Sequence, residues 1–234
     1  MHNETMSELQ TIVDAISEGF EKKNAVRDET LRRSRQLIRH CANSIRASHR
    51  NEFDDAGVLL ATARAAAAEM TADARRYPDI LYAGYTQDAL KELAEAHITY
   101  ALIRGESPPS PEELVVEPAA YLNGLAEAAG EARRYVLDRL RRGDVATGER
   151  LLAAMDDIYS LLVTVDFPDA ITGGLRRNTD MVRGVLERTR GDLTTAVRQE
   201  EMKVALRDFG ERVGLTIENT GDGQFPEEED SNDQ

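Results

Sequence analysis

Tryptophan is absent from this chain, cysteine occurs once, and only 5% of the residues are aromatic. The single Cys41 excludes an internal disulfide and a thiolate-based metal site. With so few large rings, Ala and Leu must do the packing, which favours helices over sheets. Histidine is scarce as well, at four residues in 234, so no Ser-His-Asp or Cys-His nucleophile arrangement can be assembled. A glycine-rich phosphate loop is also missing, since Gly173-Gly174 is not followed by Lys-Ser/Thr. No apolar run approaches the ~20 residues of a membrane span, and no signal peptide is visible. A soluble, cytoplasmic protein is therefore expected.

Positive charge is in deficit too. Lys+Arg number 29 against 43 Asp+Glu, for a net charge of −14. Spread evenly, such an excess repels nucleic acid, so any nucleic-acid site must be local. An acidic, salt-adapted surface of the halophilic kind accounts for the balance. The hydrophobic content of 41% and the chain length suffice for a sizeable core.

What is present is helical patterning from end to end. Residues 1–24 show apolar positions at helical spacing (Leu9, Ile12, Val13, Ile16, Phe20), which predicts a short helix, followed by a long one over about Val26–His49 with Leu31, Ile38 and Ile45 inward. Asn51 or Asp54 can cap the next helix, which runs to about Arg76 before Pro78 interrupts it. A third begins near Asp79 or Tyr85 and ends at Gly105. ESPPSPEELVVEP reads as a loop, because its prolines do not fit a helix interior. Pro118 suits the first turn of a helix that stops at Gly143, and Asp144 opens another that lasts until Asp166-Phe-Pro168. After Gly173-Gly174 a last helix is expected from Leu175 to about Val213, its apolar face formed by Leu175, Val182, Val185, Leu186, Leu193, Val197, Val204 and Leu206. No strand pattern and no internal repeat occur, so the fold class is all-α. The stretch Glu218–Gln234 has no core-forming pattern and a block of acids, and is expected to be a disordered tail.

Two segments place carboxylates where an apolar face belongs. In LKELAEAHITYALI (90–103), Glu92 and Glu95 stand three apart on one helix face. In AAYLNGLAEAAGEA (119–132), the strongly polar residues are Asn123, Glu127 and Glu131, four apart, a stripe narrower than a solvated face. Such acids are either buried and paired or holding something cationic. Glu92, Glu95, Glu127 and Glu131 form a candidate site for Mg²⁺ or Mn²⁺, hard ions suited to carboxylate oxygens. The competing reading is that acid pairs arise by chance on solvated faces of so acidic a chain. A di-iron bundle is disfavoured because no His follows a Glu by three: Ala94 precedes His97 at that distance. All-α nucleotide pyrophosphohydrolases also bind Mg²⁺ with Glu pairs, but their second pair usually steps three residues to Asp, not four to Glu131.

All but four of the basic residues are Arg, whose planar fork suits phosphate. A stripe of Arg32, Arg35, Arg39, Arg46 and Arg50 follows the first long helix. Arg133-Arg134, Arg139 with Arg141-Arg142, and Arg176-Arg177 with Arg183 and Arg190 form further clusters. Each could hold phosphates or merely neutralise neighbouring acids. Tyr82, Tyr85 and Tyr135 have the chemistry to stack on bases, although packing between helices is the expected role for them.

The ordered blocks IRASHR, GYTQDALKELAEA, YLNGLAEAAGEARRYVLDRLRRGD, MDDIYSLLVTVDFPDA and GLRRNTDMVRGVLERTRGDL resemble the translin/TRAX family, over about Val26–Gln199. The last two look closer to the TRAX branch. The resemblance implies a bundle of about seven antiparallel helices over residues 1–217, ahead of the acidic tail at 218–234. It also implies a homo-oligomer, an octameric shell in the family, enclosing single-stranded RNA or DNA. TRAX supplies a Mg²⁺-dependent endoribonuclease centre. Its carboxylates match Glu92, Glu95 and Glu131, and at Glu127 the TRAX residue is Asp. The family's nucleic-acid-binding bases match Arg32, Arg33, Arg35 and Arg39. A second basic contact, before the first acid pair, is here the uncharged-to-acidic YAGYTQD. The expectation is a metal-dependent endoribonuclease, and the alternative is a non-catalytic nucleic-acid-binding shell.

Overall fold

The computed structural model describes residues 2–214, with side chains from Thr5 onward. The expected tail at 218–234 lies outside the described residues. Those described form α1 (His2–His49), α2 (Phe53–Ala74), α3 (Pro78–Leu81), α4 (Gly84–Arg104), α5 (Pro111–Leu114), α6 (Pro118–Leu140), α7 (Val145–Leu162), α8 (Asp169–Thr172) and α9 (Leu175–Arg212). No strand occurs among the described residues, and the all-α expectation holds. Six of the helices are long and three are single turns. No helix among the described residues is long and apolar enough to cross a membrane.

Several boundaries differ from the expected ones. The two helices expected before residue 50 are one 48-residue helix. Nothing in the sequence breaks it, because Gly19 is the one glycine before Asn51 and there is no proline. Neither Asn51 nor Asp54 caps α2. Glu52 stands at that position without a side-chain cap, and Asn51 takes a left-handed turn at φ 63. The Asn51 amide oxygen instead accepts hydrogen bonds from Tyr135 (2.6 Å) and Arg139 (2.5 Å), which ties the α1–α2 turn to α6. The expected loop at 106–118 contains the turn α5, closed by a capping box between Ser110 and Glu113. Gly105 (φ 72), Pro118 and Asp144 act as the sequence predicts, the last accepting from the Thr147 N–H.

The described residues divide into two compact units, the first ending at Leu193 and the second beginning at Thr194. Described residues of the second are the last turns of α9, where Val204 and Leu206 are exposed rather than inward as expected. Within the first unit, a tight turn makes α1 and α2 antiparallel: Arg33 reaches the carbonyl of Glu69, and the Ser44 hydroxyl that of Ala56. By contrast, α4 and α6 run in the same direction, because the crossover from Gly105 to Glu117 returns the chain to the starting end. Gly124 therefore lies against Lys91–Glu95, while Tyr135 and Val136 pack with Ile103. One apolar cluster joins α1, α2 and α4 (Leu37, Cys41, Leu60, Met70, Leu93, Ile98), and a second joins α6, α7 and α9 (Ala129, Met155, Leu162, Leu175, Val182, Leu186). Residues of α4 and α6 face both.

The approach of α4 to α6 depends on Gly124. A Cβ there would lie 2.7 Å from the Lys91 carbonyl oxygen and 2.9 Å from the Glu95 nitrogen, backbone atoms that cannot step aside. Gly124→Ala is expected to cost roughly 1–3 kcal/mol by overpacking. Gly130→Ala, where a Cβ meets nothing within 4 Å, should gain up to about 1 kcal/mol from helix propensity. Urea unfolding of both variants checks the pair; equal stabilities would show that the close contact is not required.

Candidate metal centre

Glu92 and Glu95 lie one turn apart on α4, and Glu127 lies level with them on α6 because the two helices are parallel and close. One carboxylate oxygen from each of the three lies within 4.8 Å of the others. Glu131, one turn further along α6, is not in this set. Its carboxylate accepts from His49 Nε2 at 2.5 Å and lies 3.8 Å from Arg134. Of the four acids singled out in the sequence, the structure thus brings three together and turns the fourth to a histidine.

The electrostatics separate these acids. Glu95 is 9% exposed and has no hydrogen bond or ion pair among the described residues. Burial, and then the charges of Glu92, Glu127 and Glu131, push its carboxyl up to about 8. Burial also raises Glu92, against the pull of Lys91. Glu131 moves the other way, held below the usual carboxylate range by its hydrogen bond to His49. Lys91 Nζ sits 2.7 Å from Glu127 and 3.7 Å from Glu92. Although burial disfavours its charge, the bond to Glu127 leaves its pKa raised overall. Behind the cluster, burial and the charges of Glu92 and Glu95 push the Cys41 thiol up to about 12, so it offers no thiolate.

This donor set suits a divalent cation. Three oxygen donors of one sign converge, and one of them is a buried carboxylate with no partner of its own, a costly state unless it is protonated or meets a cation. All-oxygen, carboxylate-rich coordination is that of Mg²⁺ or Mn²⁺.

Lys91 and His49 are the functional neighbours that sequence reasoning passed over. Both stood inside the quoted blocks, as LKELAEA and IRASHR, but only the tertiary structure shows which acid each one meets. His49 is buried, its ring 6.0 Å from that of Tyr135, and its Nδ1 has no hydrogen-bond partner among the described residues. Asn123, read as part of the polar stripe with Glu127 and Glu131, serves another purpose. Its amide donates to the Ala119 and Thr172 carbonyls and accepts from Asn178, which fastens α6 to the α8–α9 corner.

The four arginines of α1 matched to nucleic-acid binding divide into pairs. Arg32 grips Glu29 with two nitrogens, and Arg33 shares the same carboxylate and also reaches the Glu69 carbonyl. Arg35 and Arg39 are exposed and form no ion pair among the described residues.

No protein-family model matches this sequence. The chain is 29% identical to an uncharacterized protein of Methanocaldococcus jannaschii over 214 residues, covering 91% of this chain and 92% of that one. Among solved structures it is similar to AfC3PO, both alone and in a complex with duplex RNA. The identity is 36%, with 80% of this chain and 97% of that chain covered and a TM-score of 0.75. Apo-NeC3PO, at 22% identity with 79% and 96% covered and a TM-score of 0.73, shares the fold.

The raised pKa of Glu95 has a signed consequence for the metal-free protein. A carboxyl that titrates near 8 when folded and near 4.5 when unfolded binds more protons in the native state, so its contribution to stability falls as pH rises from about 4.5 to 8. Glu95→Gln should therefore raise the melting temperature at pH 8 and leave it nearly unchanged at pH 4.5. Mn²⁺ must displace the same proton, so its affinity for the wild type should increase up to about pH 8. Calorimetry in chelator, then with Mn²⁺, reads both effects. A Gln variant less stable at pH 8 would show that the Glu95 charge is compensated.

Proposed function

This chain belongs to the translin/TRAX family, and from that premise we propose that it binds RNA as a homo-oligomer and cuts it as a divalent-metal-dependent endoribonuclease. The observation that carries the proposal is the convergence of Glu92, Glu95 and Glu127 on one point, with Glu95 buried and unpaired. These three would hold Mg²⁺ or Mn²⁺, with Glu131 beside them. The bound ion would supply Lewis-acid polarisation of a phosphoryl oxygen and an activated water.

The chain's own residues supply the rest. Glu131, kept ionised by His49, is suited to accept a proton from an attacking water. The Lys91 ammonium is placed to attract the phosphate of an RNA strand lying over Glu127. Arg35, Arg39 and Arg46 are the members of the α1 stripe without an ion pair among the described residues and so available to phosphates, whereas Arg32 and Arg33 must first release Glu29. At about 100° per residue, Arg35, Arg39 and Arg46 lie within roughly 80° of His49 around the α1 axis, on the side that leads to Glu131. A strand following that stripe arrives at the acids.

Assembly is supported by the surface of α1. Leu9, Ile12, Val13, Ile16 and Phe20 expose 49–67% of their surface along one helix face, more apolar surface than an isolated helix normally leaves in water. A second copy of the chain is the proposed cover, with an octamer as the family's form. Single-stranded RNA is the proposed substrate, and single-stranded DNA a further ligand.

One observation favours the non-catalytic alternative: Lys91 already neutralises Glu127 and competes for it with a metal ion. Labelled RNA, single-stranded and duplex, incubated with Mg²⁺ or with chelator, decides between the two. We expect Mg²⁺-dependent cutting of the single strand, with Glu92→Ala and Glu95→Gln each losing at least a hundredfold in rate while staying folded. Binding without cutting under all conditions would leave the shell alone.

Arg35→Gln with Arg39→Gln should weaken RNA binding about tenfold or more in filter assays at low salt, and flatten its salt dependence. Light scattering should show the same oligomer. Unchanged affinity would remove the stripe from the binding path, and dissociation would make it an interface.

A further inference from the structure

Beside the acids lies an open cavity of about 670 Å³, walled by the start of α4, the start of α6 and the α8–α9 corner. Lys91 and Glu127 belong both to this cavity and to the carboxylate cluster, so whatever fills the one abuts the other. Tyr82 stands at its edge with 59% of its surface exposed. The other candidates for stacking are less available: Tyr135 is buried and bonded to Asn51, and Tyr85 is half-buried. Tyr82 is therefore the one of the three that departs from the expected packing role. Its backbone is fixed, since its N–H bonds the Pro78 carbonyl at 2.8 Å in the turn that ends α3.

The polar groups of the wall are arranged, too. Gln87 donates its amide to the Leu81 carbonyl and Asn178 donates its amide to Asn123, so each is held by its nitrogen and keeps its amide oxygen for a ligand. Asn123 is itself anchored through its amide nitrogen, which donates to the Ala119 and Thr172 carbonyls, and this pre-orders Asn178. The wall thus combines an exposed aromatic face with fixed acceptors, complementary to a flat heterocycle carrying N–H donors.

Resting on the nuclease reading above, we infer that this cavity is a subsite for one unpaired nucleobase of the RNA, next to the phosphate at the acid cluster. The base stacks on Tyr82 and gives hydrogen bonds from its exocyclic amine to Gln87 and Asn178. Adenine and cytosine fit this acceptor-rich wall better than uracil does. A paired base has its amine occupied and both faces stacked, so the subsite selects single strands.

The test uses the full-length protein and a short single-stranded RNA with one central 2-aminopurine, in chelator so that no strand is cut. Wild type should quench the fluorophore on binding. Tyr82→Ala should lose that quenching and bind about fivefold or more weakly, while Tyr82→Phe keeps both. Asn178→Ala should reduce the preference for adenine over uracil in competition. Unchanged quenching in Tyr82→Ala, equal loss in the Ala and Phe variants, or a changed oligomer in light scattering would each overturn the subsite. A wild type that quenches here yet never cuts RNA with Mg²⁺ would sink the nuclease reading while upholding the subsite. Normal cutting by a Tyr82→Ala enzyme with unaltered affinity would sink the subsite alone.

Discussion

The contact on which the site depends is backbone against side-chain-free backbone, where Gly124 of α6 lies on the Lys91–Glu95 turn of α4. No other residue type leaves that space. Because the two helices run in parallel there, residues at the same height come from the same turn of each. Glu92 and Glu95 then meet Glu127 without any long-range adjustment. The small residues around them, Ala89, Ala94, Ala126 and Ala128, are fully buried and keep the helices near.

That closeness brings an electrostatic cost, and the protein treats its four acids unequally. Glu127 is paired with the Lys91 ammonium and Glu131 is hydrogen-bonded to His49, while Glu95 is left buried among like charges. A compact site with one uncompensated member is unstable in itself and receptive to a cation. The same asymmetry divides the chemistry: burial and like charges favour the protonated form of Glu95, while the hydrogen bond from His49 favours the ionised form of Glu131.

Charge across the rest of the first unit follows a similar logic of local pairing. A net charge of −14 does not preclude RNA, because many basic groups are already matched to acids and a few are not. Glu29 sequesters Arg32 and Arg33, whereas Arg35, Arg39 and Arg46 of α1 form no ion pair among the described residues. An RNA strand would meet this local field rather than the average one.

The order of helices, their Gly, Pro and Asp boundaries, and the placement of Glu92 with Glu95 and Glu127 with Glu131 on single faces were legible in the sequence, because helix periodicity and capping are local properties. Continuity of α1 through residue 24 was missed, since the sequence pattern suggested two helices where there is one. Tertiary structure alone decided the rest. It made α4 and α6 parallel, gave Glu131 to His49, and placed Lys91 between Glu92 and Glu127. It spent Asn51 on Tyr135 and Arg139 instead of a cap, and left Tyr82 bare while burying Tyr135. Each of these outcomes turns on which side chains from distant segments arrive at the same point. One-dimensional spacing carries no record of that, since a carboxylate's partner is set by the approach of a neighbouring helix and not by the turn on which it stands.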